Sequence, residues 1–473
     1  MRNSEEIWRL VDDKKASFIA LSDRVWGMPE LSYGEFKSAA EHGAMLEQQG
    51  FRVTKNVAGI PTAVIGEAGE GGPVIAVLGE YDALPGLSQE ADLPEPKPVA
   101  EGGNGHGCGH NLLGAASLLA ATAIKDYLAA NKLKGRVRYY GCPAEEGGAA
   151  KGFMVREGAF KDVDIAISWH PGHFSAVFTT KMLANTRINF TFTGRASHAA
   201  AAPHLGRSAL DAVELMNVGV NYMREHMPDS ARVHYALIDG GGVAPNVVQA
   251  RAEVCYLIRA SDLSELTPLV ERVRKIADGA ALMTETRVES RVLSAVSNLV
   301  ANTPLEAALH ANMMRLGPPD FDEADRALAA KFQATLTKED IAAAYRLHGV
   351  AIEAGKPLCD QIVPLDAAGV GSGSTDVGDV SWVVPTVQLW GATCAIGTPF
   401  HAWQFTGQGK SGMAHKGLVH AAKVMAGTAV DALEDETLIR RAQEDLRKRL
   451  AAEPYVCPLP PDLDPPVEVS EAA

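Results

Sequence analysis

The sequence predicts an α/β protein of two domains, in which a smaller α+β domain is inserted into a larger domain with a mostly parallel central sheet. The chain has 473 residues, more than one compact core usually holds, because domains average roughly 100–200 residues. Short apolar runs alternate with helical patterns before residue 185 and again near the end of the chain, as is typical of parallel sheets. Between 185 and 300, apolar residues instead recur at every second position of the predicted strands. We therefore assign 1–184 and 301–473 to the larger, discontinuous domain and 185–300 to the insert.

The predicted elements of the larger domain begin with amphipathic helices over 4–50, where apolar residues recur at helical spacing. Val74–Leu78 is a continuous apolar run, which indicates a strand that is buried on both faces. A loop over 85–104, rich in Pro, Gly and Glu, precedes a long apolar helix that ends near Asn131. Further strands are predicted at Arg136–Gly141, Ile165–Ser168 and Thr386–Trp390.

The insert combines alternating strands with helices. Apolar and polar residues alternate over Ile188–Thr193, which is the period of a half-exposed strand, and a second such strand runs from Val248 to Ile258. Helical patterns at about 208–226 and 263–283 would cover one face of this sheet. The final ~20 residues are acidic and rich in proline, which indicates a loosely held tail.

Charge and cysteine content exclude several classes of function. Lys and Arg number 44 against 58 Asp and Glu, a net charge of −14, so a nucleic-acid or anionic-membrane surface is not expected. No apolar run reaches the ~18 residues of a membrane helix, and the charged N-terminus does not resemble a signal peptide. The six cysteines show no disulfide-framework spacing, which favours a reducing cytoplasm.

Groups that bind transition metals follow the predicted parallel strands. Cys108-Gly109-His110 places a thiol and an imidazole two residues apart, directly before the long apolar helix. Each such group alone would be an ordinary turn or loop residue, but ligands of open α/β sheets bind where the strands end. The residues at these strand ends are Asp82, Glu145, Glu146, His170 and His401. Their convergence predicts a metal site.

The adjacent glutamates Glu145 and Glu146 suit hydrolysis. One carboxylate can bind a metal while its neighbour accepts a proton from a water molecule, whose pKa a zinc-type ion lowers to about 7. We therefore expect a metal-dependent hydrolase.

Six motifs, spread over most of the chain, together resemble one known family. They are Gly79-Glu80-Tyr81-Asp82-Ala83-Leu84-Pro85-Gly86, His106-Gly107-Cys108-Gly109-His110-Asn111-Leu112-Leu113-Gly114, Pro143-Ala144-Glu145-Glu146-Gly147, Gly194-Arg195-Ala196-Ser197-His198-Ala199-Ala200, Gly241-Gly242-Val243-Ala244-Pro245-Asn246-Val247-Val248 and Pro399-Phe400-His401. In this order they resemble the M20 family of metallopeptidases and amidohydrolases, within it the branch of p-aminobenzoyl-glutamate hydrolases (of the B-subunit type) and related aminoacyl hydrolases. The resemblance implies a zinc-peptidase-like catalytic domain and an inserted lid that dimerises.

The resemblance also implies a two-metal centre, usually of zinc or manganese ions. Its ligands would be Cys108, His110, Glu146, His170 and His401. Glu145 matches the general base that later protonates the leaving amine, and Asp82 matches the carboxylate that orients a metal ligand.

Three lid residues match positions that contact the substrate. His198 matches a histidine, often of the partner subunit, that stabilises the oxyanion. Asn246 and Arg259 match positions that hold a substrate carboxylate in glutamate-releasing members, and a guanidinium suits a carboxylate. An alternative for Arg259 is a surface salt bridge.

Two positions depart from the family pattern. Glu80 stands where many members have a histidine, and Cys108 with His110 is expected to replace that ligand. Asn111 stands where much of the branch has an aspartate, which leaves the bridging ligand open. Asp376 lies in a small-residue loop near the predicted site, without an assigned role.

These observations predict a cytoplasmic metallo-amidohydrolase of carboxypeptidase or aminoacylase type. It would cleave a linear amide and release a free amino acid, with p-aminobenzoyl-glutamate or a similar N-acyl-glutamate favoured. The alternatives are a dipeptidase or an N-acyl-amino-acid deacylase of other specificity and, from another class, a non-catalytic subunit that binds the same ligands. Expected partners are a small substrate with a free carboxylate, a second copy of the chain bound through the lid, and a further related subunit.

Overall fold

The computed structural model describes residues 4–367, 369–371, 373–451 and 454–467. The α-helices in these residues are α1 (Ser4–Trp26), α2 (Phe36–Gln48), α3 (His110–Asn131), α4 (Ala150–Arg156), α5 (Ala209–Met223), α6 (Leu263–Thr284), α7 (Thr303–Leu316), α8 (Glu323–Gln333), α9 (Lys338–His348), α10 (Val377–Val383), α11 (Trp403–Gln408), α12 (Gly412–Glu434) and α13 (Glu436–Leu450). The strands are β1 (Arg52–Val57), β2 (Ile60–Glu70), β3 (Val74–Glu80), β4 (Gly135–Cys142), β5 (Ile165–Gly172), β6 (Ala176–Val177), β7 (Ala184–Thr193), β8 (Arg232–Asp239), β9 (Arg251–Ala260), β10 (Arg287–Val296) and β11 (Thr386–Ala392).

A seven-stranded sheet in the order β1-β2-β4-β3-β5-β11-β6 forms the centre of the molecule. Its four middle strands β4, β3, β5 and β11 run parallel, whereas β1, β2 and β6 add antiparallel edges. The predicted α/β class with a largely parallel sheet is therefore confirmed. Parallel strands end at one edge of the sheet, so the loops that follow β3, β4, β5 and β11 come together there.

Both faces of this sheet are covered by helices. Ile75 and Val77 of β3 belong to the core that includes α1, α3 and α12, whereas Ala76 and Leu78 face the core that includes α4 and α10. This burial on both faces explains why β3 is apolar along its length. Helix α3 is long and apolar enough to cross a membrane, but 83% of its most apolar window is buried inside the protein, as in a core helix.

The second sheet is antiparallel, in the order β10-β7-β9-β8. One face packs on α5 and α6, where Val254, Tyr256 and Ile258 of β9 meet apolar side chains of both helices. The prediction of a sheet with two covering helices is borne out by these contacts, although β8 and β10 were not foreseen. The strands of this sheet fall between Ala184 and Val296. The domain boundaries at 185 and 300 stay a prediction.

Two local expectations are wrong. Strand β9 begins at Arg251 rather than at Val248, because Val248 N donates to Ser197 O and Gln249 O accepts from Ala209 N, which ties this segment to a neighbouring loop. The expected loose tail is docked over 454–467, where Leu459 is buried and Arg156 donates to the carbonyls of Pro460 and Leu463. The last part of the predicted tail, 468–473, lies outside the described residues.

Candidate active site

The five residues expected to bind metal lie together at the carboxyl edge of the central sheet. They form two donor sets, Cys108 with His110 and His170, and Cys108 with Glu146 and His401, and the donor atoms of each set lie within 4.8 Å of one another. Cys108 Sγ lies 3.4 Å from His170 Nε2, and His401 Nε2 lies 3.2 Å from Glu146 Oε2. Cys108 belongs to both sets, so its thiol is the donor that the two sets share.

The chemistry of these donors fits divalent metal ions. Thiolate, imidazole and carboxylate are the ligands that zinc accepts in proteins. His110 Nε2 and Glu146 Oε1 are buried without a hydrogen-bond partner among the described residues, and a buried polar atom rarely stays unsatisfied. Burial, and then the neighbouring His110, lower the pKa of His170 to about 4, which leaves its imidazole neutral and able to donate a lone pair.

The start of α3 positions the Cys–His pair. Gly109 has φ of 77°, a left-handed conformation that favours glycine, and it turns the chain so that His110 begins the helix. His110 Nδ1 donates to Asp82 Oδ1 at 2.8 Å, which directs Nε2 towards the donor cluster. The other Asp82 oxygen accepts the backbone N–H of Glu146 at 2.9 Å. Asp82 therefore joins two of the site loops, and its role in orienting a metal ligand stays a prediction.

The loop that carries the paired glutamates is tightly folded. Ala144 and Ala149 both have φ of 56°, a conformation that non-glycine residues adopt at a cost, and Ala144 O accepts from the N–H groups of Gly148 and Ala149.

Burial, reinforced by Glu80 and Glu146, raises the pKa of Glu145 well above its usual value. A carboxyl group with a raised pKa holds a proton more readily, which suits a residue that accepts and returns protons.

His401 is held in place by its own backbone. Its φ is 58°, again left-handed, and its N–H donates to Gly107 O at 2.9 Å. This bond joins the loop after β11 to the glycine that precedes Cys108, so the two halves of the larger domain meet at the donor cluster.

A buried ion network that was not predicted lies beside the donors. Lys151, fully buried at the start of α4, places Nζ 2.6 Å from Glu80 Oε1 and 2.6 Å from Asp376 Oδ1. Glu80 Oε2 lies 3.3 Å from His110 Nε2, so this network contacts one of the residues that the sequence predicts to bind metal. Glu80 and Asp376 were noticed in the sequence, but no signal distinguishes Lys151 there, because one lysine after a run of small residues is ordinary.

A cavity of about 460 Å³ opens above the cluster and is bounded on its far side by the second sheet. Arg259 of β9 lines it and donates to Ser374 Oγ at 2.9 Å, with a pKa that burial lowers. Aromatic rings form another wall, in which Phe178 and Trp390 stack with centroids 4.5 Å apart. Cavities of this size bind small molecules.

His198 and Asn246 are not brought to this cavity in the single chain. Both side chains are exposed, on loops joined by a bridge between His198 and Val247. His198 Nδ1 accepts the N–H groups of Ala200 and Ala201, so the neutral ring carries its proton on Nε2. Their predicted contacts with substrate stay a prediction.

The side chain of Asn111, where the sequence departs from the family pattern, makes its hydrogen bonds in the core. Its side chain donates to Ser22 Oγ at 3.0 Å and to Gly409 O at 3.1 Å, in the core and away from the metal donors. The position shared between the two donor sets is occupied by the Cys108 thiol instead.

Comparison with known proteins identifies the family. The model of peptidase family M20/M25/M40 matches residues 76–402, which include both metal-donor sets. The chain belongs to this family. It is accordingly a metal-dependent hydrolase of amide or peptide bonds, as the sequence predicted.

Individual relatives cover nearly the whole chain. The chain is 46% identical to the B subunit of p-aminobenzoyl-glutamate hydrolase from Escherichia coli K12, over 98% of this chain and 99% of that protein. It is 29% identical to the Xaa-Arg dipeptidase of Mus musculus, over 94% of this chain and 92% of that protein. A dinuclear metal-binding M20 peptidase of Bacillus subtilis has a similar fold, with a TM-score of 0.58 and 19% identity over 89% of this chain and 99% of that chain.

Proposed function

We propose that this M20 enzyme hydrolyses p-aminobenzoyl-glutamate, or a similar N-acyl-glutamate, at two divalent zinc or manganese ions. One observation carries the proposal: two donor sets that share Cys108 lie beneath a cavity lined by Arg259 and by stacked aromatic rings. The similarity to the B subunit of the Escherichia coli p-aminobenzoyl-glutamate hydrolase supports the same substrate.

Five residues would hold the metal ions. Cys108, His110 and His170 form one donor set, and Cys108, Glu146 and His401 form the other. Bound ions would polarise the substrate carbonyl and make water a better nucleophile.

The chain's own residues would move the protons. Glu145 lies on the same loop as Glu146 and lines the cavity, so it would accept a proton from the attacking water and return it to the leaving amine nitrogen. Asp82 would hold the imidazole of His110 in one tautomer through its 2.8 Å bond. His198 with Nε2 protonated would donate to the developing oxyanion, supplied from the lid of a second copy.

The cavity walls support an aromatic acyl group on a carboxylate-bearing amino acid. Phe178 and Trp390 offer a stacked apolar surface for an aryl ring, with Phe400 on the same wall. Arg259 would bind the α-carboxylate of the leaving amino acid, because its guanidinium meets a hydroxyl and no carboxylate among the described residues. Asn246 would add an amide contact from the lid.

A dipeptidase that releases arginine is the second candidate, since the mouse relative carries that name. The walls of this cavity argue against it, because Arg187 and Arg259 both line the cavity and would repel a cationic side chain.

A homodimer and a second type of subunit are proposed as partners. Strand β8 is an edge strand, and its Leu237 and Ile238 are 53% and 55% exposed, a surface that favours association. The Escherichia coli relative is named as one of the subunits of its hydrolase, which implies a further subunit for that protein, and we extend this to the present chain. The six cysteines are all free thiols, which supports a reducing compartment such as the cytoplasm.

The test is release of p-aminobenzoate from p-aminobenzoyl-glutamate by the purified chain with added Zn²⁺ or Mn²⁺. A panel of N-acyl amino acids and Xaa-Arg dipeptides, assayed beside it, separates the candidates. Absence of p-aminobenzoate under every metal condition would remove the leading proposal, and cleavage of an Xaa-Arg dipeptide alone would establish the second.

A further inference from the structure

Two arginines of the second sheet, Arg187 and Arg259, line the cavity, and only Arg259 stood out in the sequence. Asn185 of β7 pairs directly with Arg259 of β9, and Arg187 pairs with Leu257. Because side chains two residues apart share a face of a strand, Arg187 and Arg259 lie on the same face as diagonal neighbours. On the other side of β7, Ser294 pairs with Arg187. All five residues line the cavity.

Arg187 reaches towards the reacting centre. Its Nη1 lies 3.7 Å from the position that a Cβ on Gly147 would take, and Gly147 follows Glu145 and Glu146 directly. A side chain at residue 147 would therefore contact this guanidinium. The glycine leaves room between the lid arginine and the glutamate loop for part of a ligand.

The guanidinium of Arg187 has no hydrogen-bond or ion-pair partner among the residues that the structure describes. Arg251, on the same face of the sheet, contrasts with it, because Arg251 is paired with Asp239 and Glu253 and does not line the cavity. An arginine whose guanidinium is unpaired inside a ligand cavity is suited to bind a carboxylate through two parallel hydrogen bonds.

Two arginines with different surroundings suit a ligand with two carboxylates. Arg259 is half-buried and fixed by Ser374, which suits the α-carboxylate that every amino-acid product has. Arg187 lines the same cavity but is exposed, so its guanidinium is free to meet the side chain of a bound amino acid. Diagonal neighbours across two strands are about 7–8 Å apart at their backbones, so two long side chains can converge on one small dicarboxylate.

We propose that Arg187 binds the side-chain carboxylate of the released amino acid and so makes the enzyme selective for acidic residues. This inference rests on the proposed function, and it names the residue that would distinguish an N-acyl-glutamate from the corresponding neutral substrate.

The test compares N-(p-aminobenzoyl)-glutamate with N-(p-aminobenzoyl)-glutamine, which differ only in the charge and acceptor set of the side chain. Arg187→Met should lower kcat/KM for the glutamate substrate about 10- to 100-fold, the usual effect of losing a hydrogen bond to a charged group. It should leave kcat/KM for the glutamine substrate unchanged. Arg187→Lys, which keeps the charge without the fork, should restore part of the lost rate.

Binding provides a second readout that does not depend on turnover. Inhibition by free glutamate should weaken in Arg187→Met by the same factor as kcat/KM, whereas inhibition by free glutamine should not change. Metal content and melting temperature should match the wild type, because Arg187 has no partner in the described fold. Arg251→Met is the matched control and should leave both substrates unaffected.

The outcomes separate the two proposals. If wild-type enzyme releases p-aminobenzoate from neither substrate, the proposed function fails, and the assignment of Arg187 fails with it. If the wild type is active but Arg187→Met reduces both substrates equally, or neither, only the assignment of Arg187 is overturned.

Discussion

Cys108 is the residue on which both metal-donor sets depend. Because its sulfur belongs to both, Cys108→Ser should reduce binding at both metal positions. His401→Ala should weaken only the set that contains Glu146 and keep the set of Cys108, His110 and His170. Metal content per chain, measured by atomic spectrometry after dialysis, tests the difference. Equal losses of metal in the two variants would contradict a role of Cys108 in both donor sets.

Glu145 is distinguished from Glu146 by what each carboxylate contacts. Both glutamates line the cavity, but Glu146 lies against His401, whereas Glu145 lies beside Glu80 and His110. Glu145→Gln should therefore keep the metal content and lower kcat by at least about 100-fold, as expected for loss of a general base. Glu146→Gln, the matched control, should lose metal. Turnover close to wild type in Glu145→Gln would reject Glu145 as the base.

The sequence indicated residues whose chemistry is unusual for a loop, but it did not indicate residues whose importance depends on neighbours distant in the chain. Cys108 and His110 stand out because thiol and imidazole are adjacent. Lys151 becomes notable only when β3 and the loop before α10 bring Glu80 and Asp376 to it. Arg187 did have a signal, since it continues the polar positions of the alternating strand β7. Its position over the cavity needed the pairing of β7 with β9.

At the scale of elements, Lys151 ties the start of α4 to the end of β3 and to the loop before α10. Lys151→Met would leave Glu80 and Asp376 buried beside each other without a cation. Breaking a buried ion pair on one side costs about 3–5 kcal/mol of unfolding free energy. Urea unfolding measures this loss. The control is Lys275→Met, since Lys275 of α6 forms no salt bridge among the described residues. A loss of unfolding free energy below about 1 kcal/mol in Lys151→Met would contradict a stabilising role of the network.

Helix α3 packs so closely on β3 that one position admits no side chain. A Cβ on Gly114 would overlap Glu80 O and lie 2.7 Å from His42 Cε1. Gly114→Ala should therefore displace α3, which begins at His110, and lower both metal affinity and stability, the latter by about 1–3 kcal/mol.

Gly279→Ala in α6 is the matched control for Gly114→Ala, because a Cβ there meets nothing within 4 Å. Alanine at this open helical position should stabilise the protein by roughly 0.5–1 kcal/mol. Thermal unfolding and metal titration of both variants give the comparison. A harmless Gly114→Ala would show that α3 can shift without disturbing the site.

The sequence predicted the strands that are buried on both faces and the strands whose residues are buried at every second position. Strands β3, β4, β5 and β11 are buried along almost their whole length, so each contains a mainly apolar stretch, which Arg136 and Arg138 interrupt in β4. Strand β8 was not predicted because most of its residues are exposed at the edge of the sheet, which leaves no alternating pattern. Strand β2 was not predicted because glycines interrupt its apolar residues.

At the scale of the whole molecule, the free edge of β8 bears on the proposed dimer. Leu237→Lys combined with Ile238→Lys places charge on exposed apolar positions of this edge strand, so it should convert a dimer to single chains. Light scattering after gel filtration measures the mass. If His198 acts in the active site of the partner chain, the double variant should lose activity when it becomes monomeric. The control is Ile352→Lys, because Ile352 is 60% exposed and lies outside the second sheet. A monomeric wild type would contradict the proposed dimer.

The volume of the cavity beneath the second sheet limits the size of the substrate. A space of about 460 Å³ accommodates one compact metabolite, whereas a stretch of polypeptide needs an open trench with exits at both ends. Strands β7 and β9 form one wall of this cavity. A folded protein does not fit into a space of this volume, so we expect the enzyme to leave intact proteins uncleaved.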